Sequence, residues 1–306
     1  MSASDEKAPE VSANPAAQAA FERGQEYFYS MEGKSAIKEY TEAIRFDPNI
    51  AYYYEKRGVA YDLTGQKDKA ISDFTEAIRL GPINVMHYDR RGSAYFLTKQ
   101  YDRAISDYTE AIRLEPYNAD FYAKRGRVYE CQEQDEKAIN DYTEAIKLDP
   151  YCAHYHWDRG EVYRWNEQYD KAISDYTEAI RLYPTCGLYY ASRGISYCLI
   201  EQYENSINDL NEAIRLDDGA WSLPYRGRGM TYYRTKQYDK AISDYNEAIR
   251  LDPHNACPYI GRGEAYAAKD EFDKAISDYT EALRLDPEDE EVKELLREVA
   301  GRGNPK

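Results

Sequence analysis

The chain has 306 residues, with 40 lysines and arginines against 56 aspartates and glutamates, so its formal charge is −16. This acidic surplus disfavours nucleic acid as a partner, because binding to phosphates depends on clustered lysine and arginine. No stretch approaches the ~18 consecutive apolar residues of a membrane span, and residues 1–16 lack the features of a secretory signal. The five cysteines form no CxxC pair. We therefore expect a cytoplasmic protein with reduced thiols and no membrane or nucleic-acid partner.

The N-terminal residues are small, polar and acidic, which predicts a disordered tail within residues 1–16. Asn14 and Pro15 then provide a helix cap and a proline at the first helical position. Beyond them the dipeptide Arg-Gly recurs eight times at an interval of 34 residues, with one interval of 35. The repeat glycines are Gly24, Gly58, Gly92, Gly126, Gly160, Gly194, Gly229 and Gly263. A fixed period of this length predicts a solenoid of stacked repeats.

Each repeat contains two segments with apolar residues at helical spacing, separated by a short polar turn such as 64–66. A proline closes most second segments, because it lacks the N–H that would continue a helix. In repeat six Asp218 stands at that place and the linker 217–224 is one residue longer, so we expect a kink there. The predicted repeats one to eight are 17–50, 51–84, 85–118, 119–152, 153–186, 187–221, 222–255 and 256–289. Residues 290–306 are predicted to form a capping helix with a short tail, because one face is apolar and the other charged.

Two recurring side chains are predicted to hold the repeats together. A tyrosine three residues after the glycine, as at Tyr61 and Tyr95, is expected in the core. The arginine before the glycine is followed sixteen residues later by an acid, as in Arg57 and Asp73. This regular pairing predicts a structural ladder of ion pairs instead of a ligand site.

The order of small and aromatic residues within each repeat carries a family resemblance. Repeat two has Gly58, Tyr61 three residues later, Ala70 nine after that and Phe74 four further on, before the closing proline. Repeated over 17–289, this pattern resembles the tetratricopeptide repeat. The resemblance implies an all-α, right-handed α-solenoid superhelix of helix-turn-helix repeats. It also implies that the first helices line a concave groove that commonly receives an extended peptide or a partner helix.

By the same resemblance, the groove-facing positions lie six and three residues before the repeat glycine and one, four and five residues after it. We expect the residues that vary there to determine the partner, since the shared residues build the scaffold. Tryptophan and arginine, which most often dominate binding energies, concentrate in repeat five. The expected partner-binding residues are Asp62, Asp89, Arg127, His154, Trp157, Glu161, Arg164, Trp165, Arg226, Met230, Tyr233 and Arg234. This set predicts a groove that is acidic at one end and aromatic and basic toward the other.

These patterns predict a non-catalytic scaffold or adaptor that binds a peptide segment or helix of a partner protein in the groove. No catalytic motif occurs, and no cofactor is expected. Cys152 and His156 are four residues apart, but the ligand set of a zinc site is missing, so no metal is expected either. Two alternatives stay open: a structural or self-associating protein that assembles through its terminal repeats, and a regulatory arm of a larger protein. We expect a monomer or a weak homo-oligomer.

Overall fold

The computed structural model describes residues 12–303, which form 17 helices and no β-strand. It has two compact units, with the division after Pro150. Residues 1–11 of the predicted tail and the last three of the predicted cap lie outside the described residues. The predicted all-α fold of helical hairpins is confirmed, because within each unit every helix packs against the next one in the chain.

The first unit contains four hairpins, and the second contains four hairpins followed by a final helix. The helices of the first unit are α1 (Pro15–Tyr29), α2 (Gly33–Phe46), α3 (Ala51–Leu63), α4 (Lys67–Leu80), α5 (Val85–Leu97), α6 (Tyr101–Leu114), α7 (Ala119–Cys131) and α8 (Asp135–Leu148). The helices of the second unit are α9 (Ala153–Trp165), α10 (Tyr169–Leu182), α11 (Gly187–Leu199), α12 (Tyr203–Leu216), α13 (Ser222–Arg234), α14 (Tyr238–Leu251), α15 (Ala256–Ala267), α16 (Phe272–Leu285) and α17 (Glu290–Gly303). Odd-numbered helices up to α15 are the first helices of their repeats, and α17 packs on α16 as the predicted cap.

The first helix begins earlier than the predicted tail boundary. The Asn14 side chain accepts a hydrogen bond from the backbone N–H of Ala16 at 3.0 Å, and Pro15 occupies the first helical position. The hydroxyl of Ser12, which is buried, donates to the Asp47 carboxylate at the end of α2. Residues 12–16 therefore belong to the first repeat and correct the end of the predicted tail.

The repeat glycines let the two helices of a hairpin approach closely. A Cβ atom built at Gly160 would lie 2.7 Å from Cε1 of Tyr176, a buried ring on the second helix of the same repeat. The same arrangement joins Gly24 to Tyr40. The close approach explains why glycine is kept inside a helix, where it costs about 1 kcal/mol relative to alanine.

The tyrosines three residues after the glycine do not form the core, contrary to the prediction. Tyr95 is buried, whereas the other predicted members of this set are half-buried. The ring of Tyr163 lies between two cations, 5.9 Å from the Arg159 guanidinium and 5.2 Å from the Lys171 ammonium. These rings therefore form the border between the core and the charged surface, where a phenol can contact both apolar and polar neighbours.

The predicted arginine ladder is confirmed. Arg57 donates from Nε and Nη2 to the two carboxylate oxygens of Asp73 at 2.8 and 2.7 Å, and Asp73 is only 5% exposed. The third guanidinium nitrogen of Arg57, Nη1, donates to the Thr41 hydroxyl of the preceding repeat at 3.2 Å. One arginine on α3 thus joins α4 of its own repeat and α2 of the repeat before. Equivalent bonds to both neighbours are made by Arg91, Arg125, Arg193, Arg228 and Arg262.

The connection between repeats six and seven has its own backbone geometry. Asp217 after α12 keeps φ −95° and ψ 8°, whereas Asp252 at the same place after α14 is at φ −140° and ψ 84°. Asp218 and Gly219 then adopt positive φ of 52° and 71°. The extra residue is accommodated in this left-handed turn, while the expected kink in the stack stays a prediction.

Candidate binding faces of the two units

In the second unit the first helices of successive repeats contact one another directly. Helix α9 contacts α11, α11 contacts α13, and α13 contacts α15. The surface formed by these four helices is called the second-unit face below. Two of these helices, α9 and α13, carry the predicted partner-binding residues of repeats five and seven.

Small residues two positions before the repeat glycine permit this contact. They are Ser192, Gly227 and Gly261 in repeats six, seven and eight. A Cβ atom at Gly227 would lie 3.0 Å from Cγ1 of Ile195 on α11, and one at Gly261 would lie 2.6 Å from the hydroxyl oxygen of Tyr245. A larger residue at Gly227 would therefore push α13 away from α11, and one at Gly261 would push α15 away from α14.

Trp157 is held in one orientation by neighbours on two helices. Its indole Nε1 donates to the Ser192 hydroxyl on α11 at 3.0 Å. His154, an exposed residue on α9, stacks on its ring with centroids 5.1 Å apart and an interplanar angle of 28°. The ring of Tyr189 packs on it at 6.5 Å. The Trp157 ring is therefore held in place between His154 and Tyr189, and His154 is the residue of this group that is exposed to solvent.

The charges of Glu161 and Arg164 neutralise each other. Glu161 accepts from the Tyr176 hydroxyl at 2.6 Å and from Nη2 of Arg164 at 2.5 Å. Burial acts to lower the pKa of Arg164, but the Glu161 carboxylate outweighs it and raises that pKa. The Arg164 guanidinium also lies 4.7 Å from the ring centroid of Trp165, which is 71% exposed. Arg164 thus supports the Trp165 ring, and Trp165 is the member of this group most accessible to a partner.

Repeats seven and eight present charged side chains that are not neutralised internally. Arg226, Arg234 and Glu264 make no side-chain hydrogen bond or ion pair with any residue from 12 to 303. Met230 and Tyr233 lie half-buried on the same face, and Tyr233 packs on Tyr238 with ring centroids 5.8 Å apart. The second-unit face therefore combines an apolar surface with a few available charges.

In the first unit the predicted acidic residues are paired. Asp62 accepts from Lys67 Nζ at 2.7 Å, and Asp89 pairs with Lys124 of the next repeat. Arg127, the predicted basic residue of this unit, is exposed on α7. A hollow of about 210 Å³ opens beside Asp62 and Asp89, below the ~300–1,000 Å³ typical of small-molecule sites. Asp62 and Asp89, predicted at the acidic end of the groove, are therefore largely neutralised by Lys67 and Lys124.

A buried acid joins the first helices of repeats two and three. Glu55 on α3 is 5% exposed, and its oxygens lie 3.4 Å from Nε2 of His87 and 3.5 Å from Nε of Arg90, both on α5. Lys56 Nζ approaches it at 3.5 Å as well. Burial raises the pKa of Glu55, but the hydrogen bond from His87 and the nearby cations outweigh it and lower that pKa.

Comparison with family models decides the family. A tetratricopeptide repeat model matches at 51–84, 119–152, 153–186, 223–255 and 256–289, and a TPR repeat model matches at 92–132. The chain belongs to the tetratricopeptide repeat family. Tetratricopeptide repeat proteins generally bind other proteins and are generally non-catalytic, so in general terms this chain is a protein-interaction scaffold. The comparison with curated proteins gives no match.

Solved tetratricopeptide structures share the fold. A repeat protein from Parabacteroides merdae is 22% identical, with a TM-score of 0.68 over 82% of this chain and 98% of that one. The Cut9-Hcn1 structure of the APC/C is 17% identical, with a TM-score of 0.66 over 92% of this chain. Yeast Tom70 is 19% identical, with a TM-score of 0.58 over 96% of this chain and 66% of Tom70. This chain spans 55% of the matched Cut9-Hcn1 chain, and identities this low support the fold alone.

Two further observations concern metals and membranes. Within 12–303, no three histidine, cysteine, aspartate or glutamate side chains come together in a group that could hold a metal ion, and this includes the surroundings of Cys152 and His156. None of the helices in that range has the length and apolar character needed to cross a lipid bilayer.

Sequence reasoning missed two residues of the second-unit face. Ser192, which orients Trp157, is a small residue 35 positions further along the chain, and only its place in the next repeat links the two. Glu264 occupies a groove position directly after a repeat glycine. The predicted set of partner-binding residues omits it, because the sequence does not show that Glu264 lacks an ion-pair partner. Both follow from knowing which side chains meet between repeats.

Proposed function

We propose that this tetratricopeptide repeat protein is a non-catalytic adaptor that binds a peptide segment or a helix of a partner protein in the groove lined by its first helices. The second-unit face is the main binding surface. The observation that carries the proposal is the fixed aromatic group of His154 and Trp157 on the same helix as the exposed ring of Trp165. Arg226, Met230, Tyr233 and Arg234 extend this surface into repeat seven.

The aromatic group favours binding because little freedom is lost when a partner docks. Ser192 and His154 already restrict the Trp157 ring, so its ordering costs little on association. The exposed Trp165 ring is supported from one side by Arg164. Burying an aromatic side chain of this size contributes about 1.5–3 kcal/mol. Rigid aromatic residues at a surface are typical of the centre of a binding site.

The shape of the surface favours an extended chain or a helix over a small molecule. A hollow of about 270 Å³ in the second unit lies beside Tyr238 and Lys269, and Trp165 is not among the residues that line it. It falls below the ~300 Å³ at the lower end of small-molecule sites. A segment lying across several first helices can contact many exposed side chains without entering a pocket.

The proposal can be tested by selecting peptides with the purified chain. The chain is immobilised and exposed to a phage-displayed library of random 15-residue peptides, and the enriched peptides are synthesised with a fluorophore. Their affinities are then measured by fluorescence polarisation. We expect Trp165→Ala to weaken binding roughly ten-fold, because an exposed aromatic anchor is lost while the fold is unaffected.

The matched control is Tyr117→Ala, which removes an aromatic residue that is 87% exposed in the loop between α6 and α7. This control is expected to leave the affinity unchanged. The proposal fails if no peptide is enriched, or if Trp165→Ala binds the selected peptides as tightly as the unaltered chain. Light scattering at increasing concentration is the companion measurement, and a ladder of oligomers would favour the self-associating alternative.

A further inference from the structure

Repeats five and eight carry a glutamate at the same position, directly after the repeat glycine. In repeat five Glu161 receives hydrogen bonds from the Tyr176 hydroxyl and from Arg164, which stands three residues later on the same helix. In repeat eight the residue three positions after Glu264 is Ala267. The cation that completes the Glu161 site is therefore replaced by a methyl group at the equivalent place in repeat eight.

Glu264 is half-buried on α15. Burial raises the pKa of Tyr279, the repeat-eight counterpart of Tyr176, and the Glu264 carboxylate raises it further, so this phenol stays neutral. Tyr233 on the neighbouring first helix has a raised pKa for the same two reasons, burial first and the Glu264 carboxylate second. A Cβ atom built at Gly263 would lie 2.7 Å from Cε1 of Tyr279, as one built at Gly160 would from Cε1 of Tyr176, so the Tyr279 ring occupies the equivalent place in repeat eight.

The charges around Glu264 do not compensate it. Arg234 at the end of α13 attracts the carboxylate, but within the described chain no arginine or lysine nitrogen lies within 4 Å of its oxygens. Glu291 on α17 repels it. Burial and Glu291 together raise the pKa of Glu264. A partly buried carboxylate without a cation is costly, and the cost is relieved when a cation binds.

We propose that Glu264 is a subsite for a basic side chain, in which a lysine or arginine of the bound peptide pairs with the carboxylate as Arg164 pairs with Glu161. This inference rests on the proposed function of peptide capture on the second-unit face. The net charge of −16 attracts basic segments to the molecule before contact.

The test uses the peptides selected from the random library with the unaltered chain. We expect lysine or arginine to be enriched at one fixed position relative to the apolar residues of the peptide. Each selected peptide is synthesised in two forms, one with the basic residue and one with norleucine in its place. The norleucine form is expected to bind roughly ten-fold more weakly, because a charge-assisted hydrogen bond is lost.

Glu264→Gln removes the charge while keeping the shape of the side chain. With this variant the two peptide forms are expected to bind equally, so the ten-fold preference disappears. The matched control is Glu281→Gln, because Glu281 is also on repeat eight but pairs with Arg284 on α16. The control is expected to keep the full preference.

Ala267→Arg provides a second, independent variant. It places an arginine in repeat eight where repeat five has Arg164, so Glu264 becomes paired within the protein. We expect the preference for a basic residue to vanish, with a melting temperature at least equal to that of the unaltered chain. That melting temperature shows that the loss is not due to unfolding.

The outcomes separate the two proposals. If no peptide is enriched, the proposed function fails and this inference fails with it. If peptides are enriched without a basic position, or if Glu264→Gln or Ala267→Arg keeps the ten-fold preference, only the basic subsite is overturned. A preference present in the unaltered chain and lost in both variants supports it.

Discussion

The two units use the same repeat but join their first helices in different ways. Two positions before the repeat glycine, repeats two to four have the cations Lys56, Arg90 and Lys124, whereas repeats six to eight have Ser192, Gly227 and Gly261. In the first unit these cations reach carboxylates, and Arg90 and Lys124 pair with acids of the preceding repeat. In the second unit the small residues allow direct contact between neighbouring first helices.

The 34-residue period determines the helical hairpin of each repeat. The residue two positions before the repeat glycine differs between repeats, and it determines how neighbouring first helices meet. In repeats two to four the cation at this position is engaged in an ion pair within the protein. Direct packing in the second unit leaves Arg226, Arg234 and Glu264 available. The difference at one position thus has a consequence for binding.

The largest expected effect concerns the arginine ladder, which the two units share. Arg91→Leu in the first unit and Arg228→Leu in the second each leave a buried aspartate without its partner. We expect each to lower the free energy of unfolding by about 3 kcal/mol. The loss of stability in each unit is measured by hydrogen exchange at increasing denaturant concentration.

Arg79→Leu is the control for the ladder, because Arg79 makes an exposed pair with Glu76 on one helix. Its removal should leave the denaturation midpoint nearly unchanged, because exposed ion pairs contribute little to stability. If one of the two ladder variants lost much stability and the other lost none, the ladder would not stabilise both units.

The next effect addresses the packing of α15 on α14 in the second unit. In Gly261→Ala the new methyl group would lie 2.6 Å from the Tyr245 hydroxyl oxygen, and the Tyr245 ring is buried. We expect a loss of about 2 kcal/mol, since overpacking exceeds the gain in helix propensity. The melting temperature and the denaturation midpoint report this loss.

Two controls sharpen the result. Gly301→Ala adds the same methyl group to α17, where nothing lies within 4 Å, and should be neutral or stabilising. Lys124→Ala, at the equivalent position of the first unit, removes a part-exposed ion pair and should cost about 1 kcal/mol or less. If Lys124→Ala costs more than Gly261→Ala, the assignment of ionic and steric joints to the two units is incorrect.

The smallest expected effect is a difference in pH dependence between two glutamates. The pKa of Glu55 is lowered in the folded protein, so its contribution to stability is present above the ordinary glutamate pKa and is lost as the pH falls through the lowered value. The pKa of Glu264 is raised, so its carboxylate destabilises the folded state at neutral pH, and this penalty is relieved as the pH falls through the raised value.

Denaturation curves at a series of pH values test this contrast. At pH 7, Glu55→Gln should be less stable than the unaltered chain and Glu264→Gln more stable. Both differences should shrink on acidification, because the carboxyl group of the unaltered chain is then neutral like the amide. A Glu264→Gln variant that is less stable at pH 7 would mean that Glu264 has a stabilising partner.

The recurring features of the fold could be predicted because each is encoded in nearly every repeat. The close approach at Gly160 and the pairing of Arg57 with Asp73 follow from spacings that the sequence repeats. The tyrosines after the glycine were assigned to the core because they recur as well, but a recurring aromatic residue can equally mark the border of the core. Tyr163 belongs to that border because Arg159 and Lys171 approach its ring from the surface.

The candidate site was less predictable, because its contacts join residues that differ from repeat to repeat. The three-residue spacing of Glu161 and Arg164 on one helix indicates an ion pair and could have been recognised. The bond from Trp157 to Ser192 crosses from one repeat to the next, and no other repeat has the same pair. Such contacts require the offset between neighbouring first helices, which the period alone does not supply.

The third bond of each ladder arginine has a consequence for how a chain of this kind changes in length. Arg57 reaches back to Thr41, Arg91 to Thr75 and Arg125 to Thr109, always sixteen residues earlier. If a whole 34-residue segment were duplicated or deleted inside the first unit, the arginine at the new joint would meet an identical threonine. Duplication or deletion of a complete repeat therefore leaves each ladder arginine of the first unit with its hydrogen-bond acceptors. The array can thus gain or lose repeats without breaking the ladder.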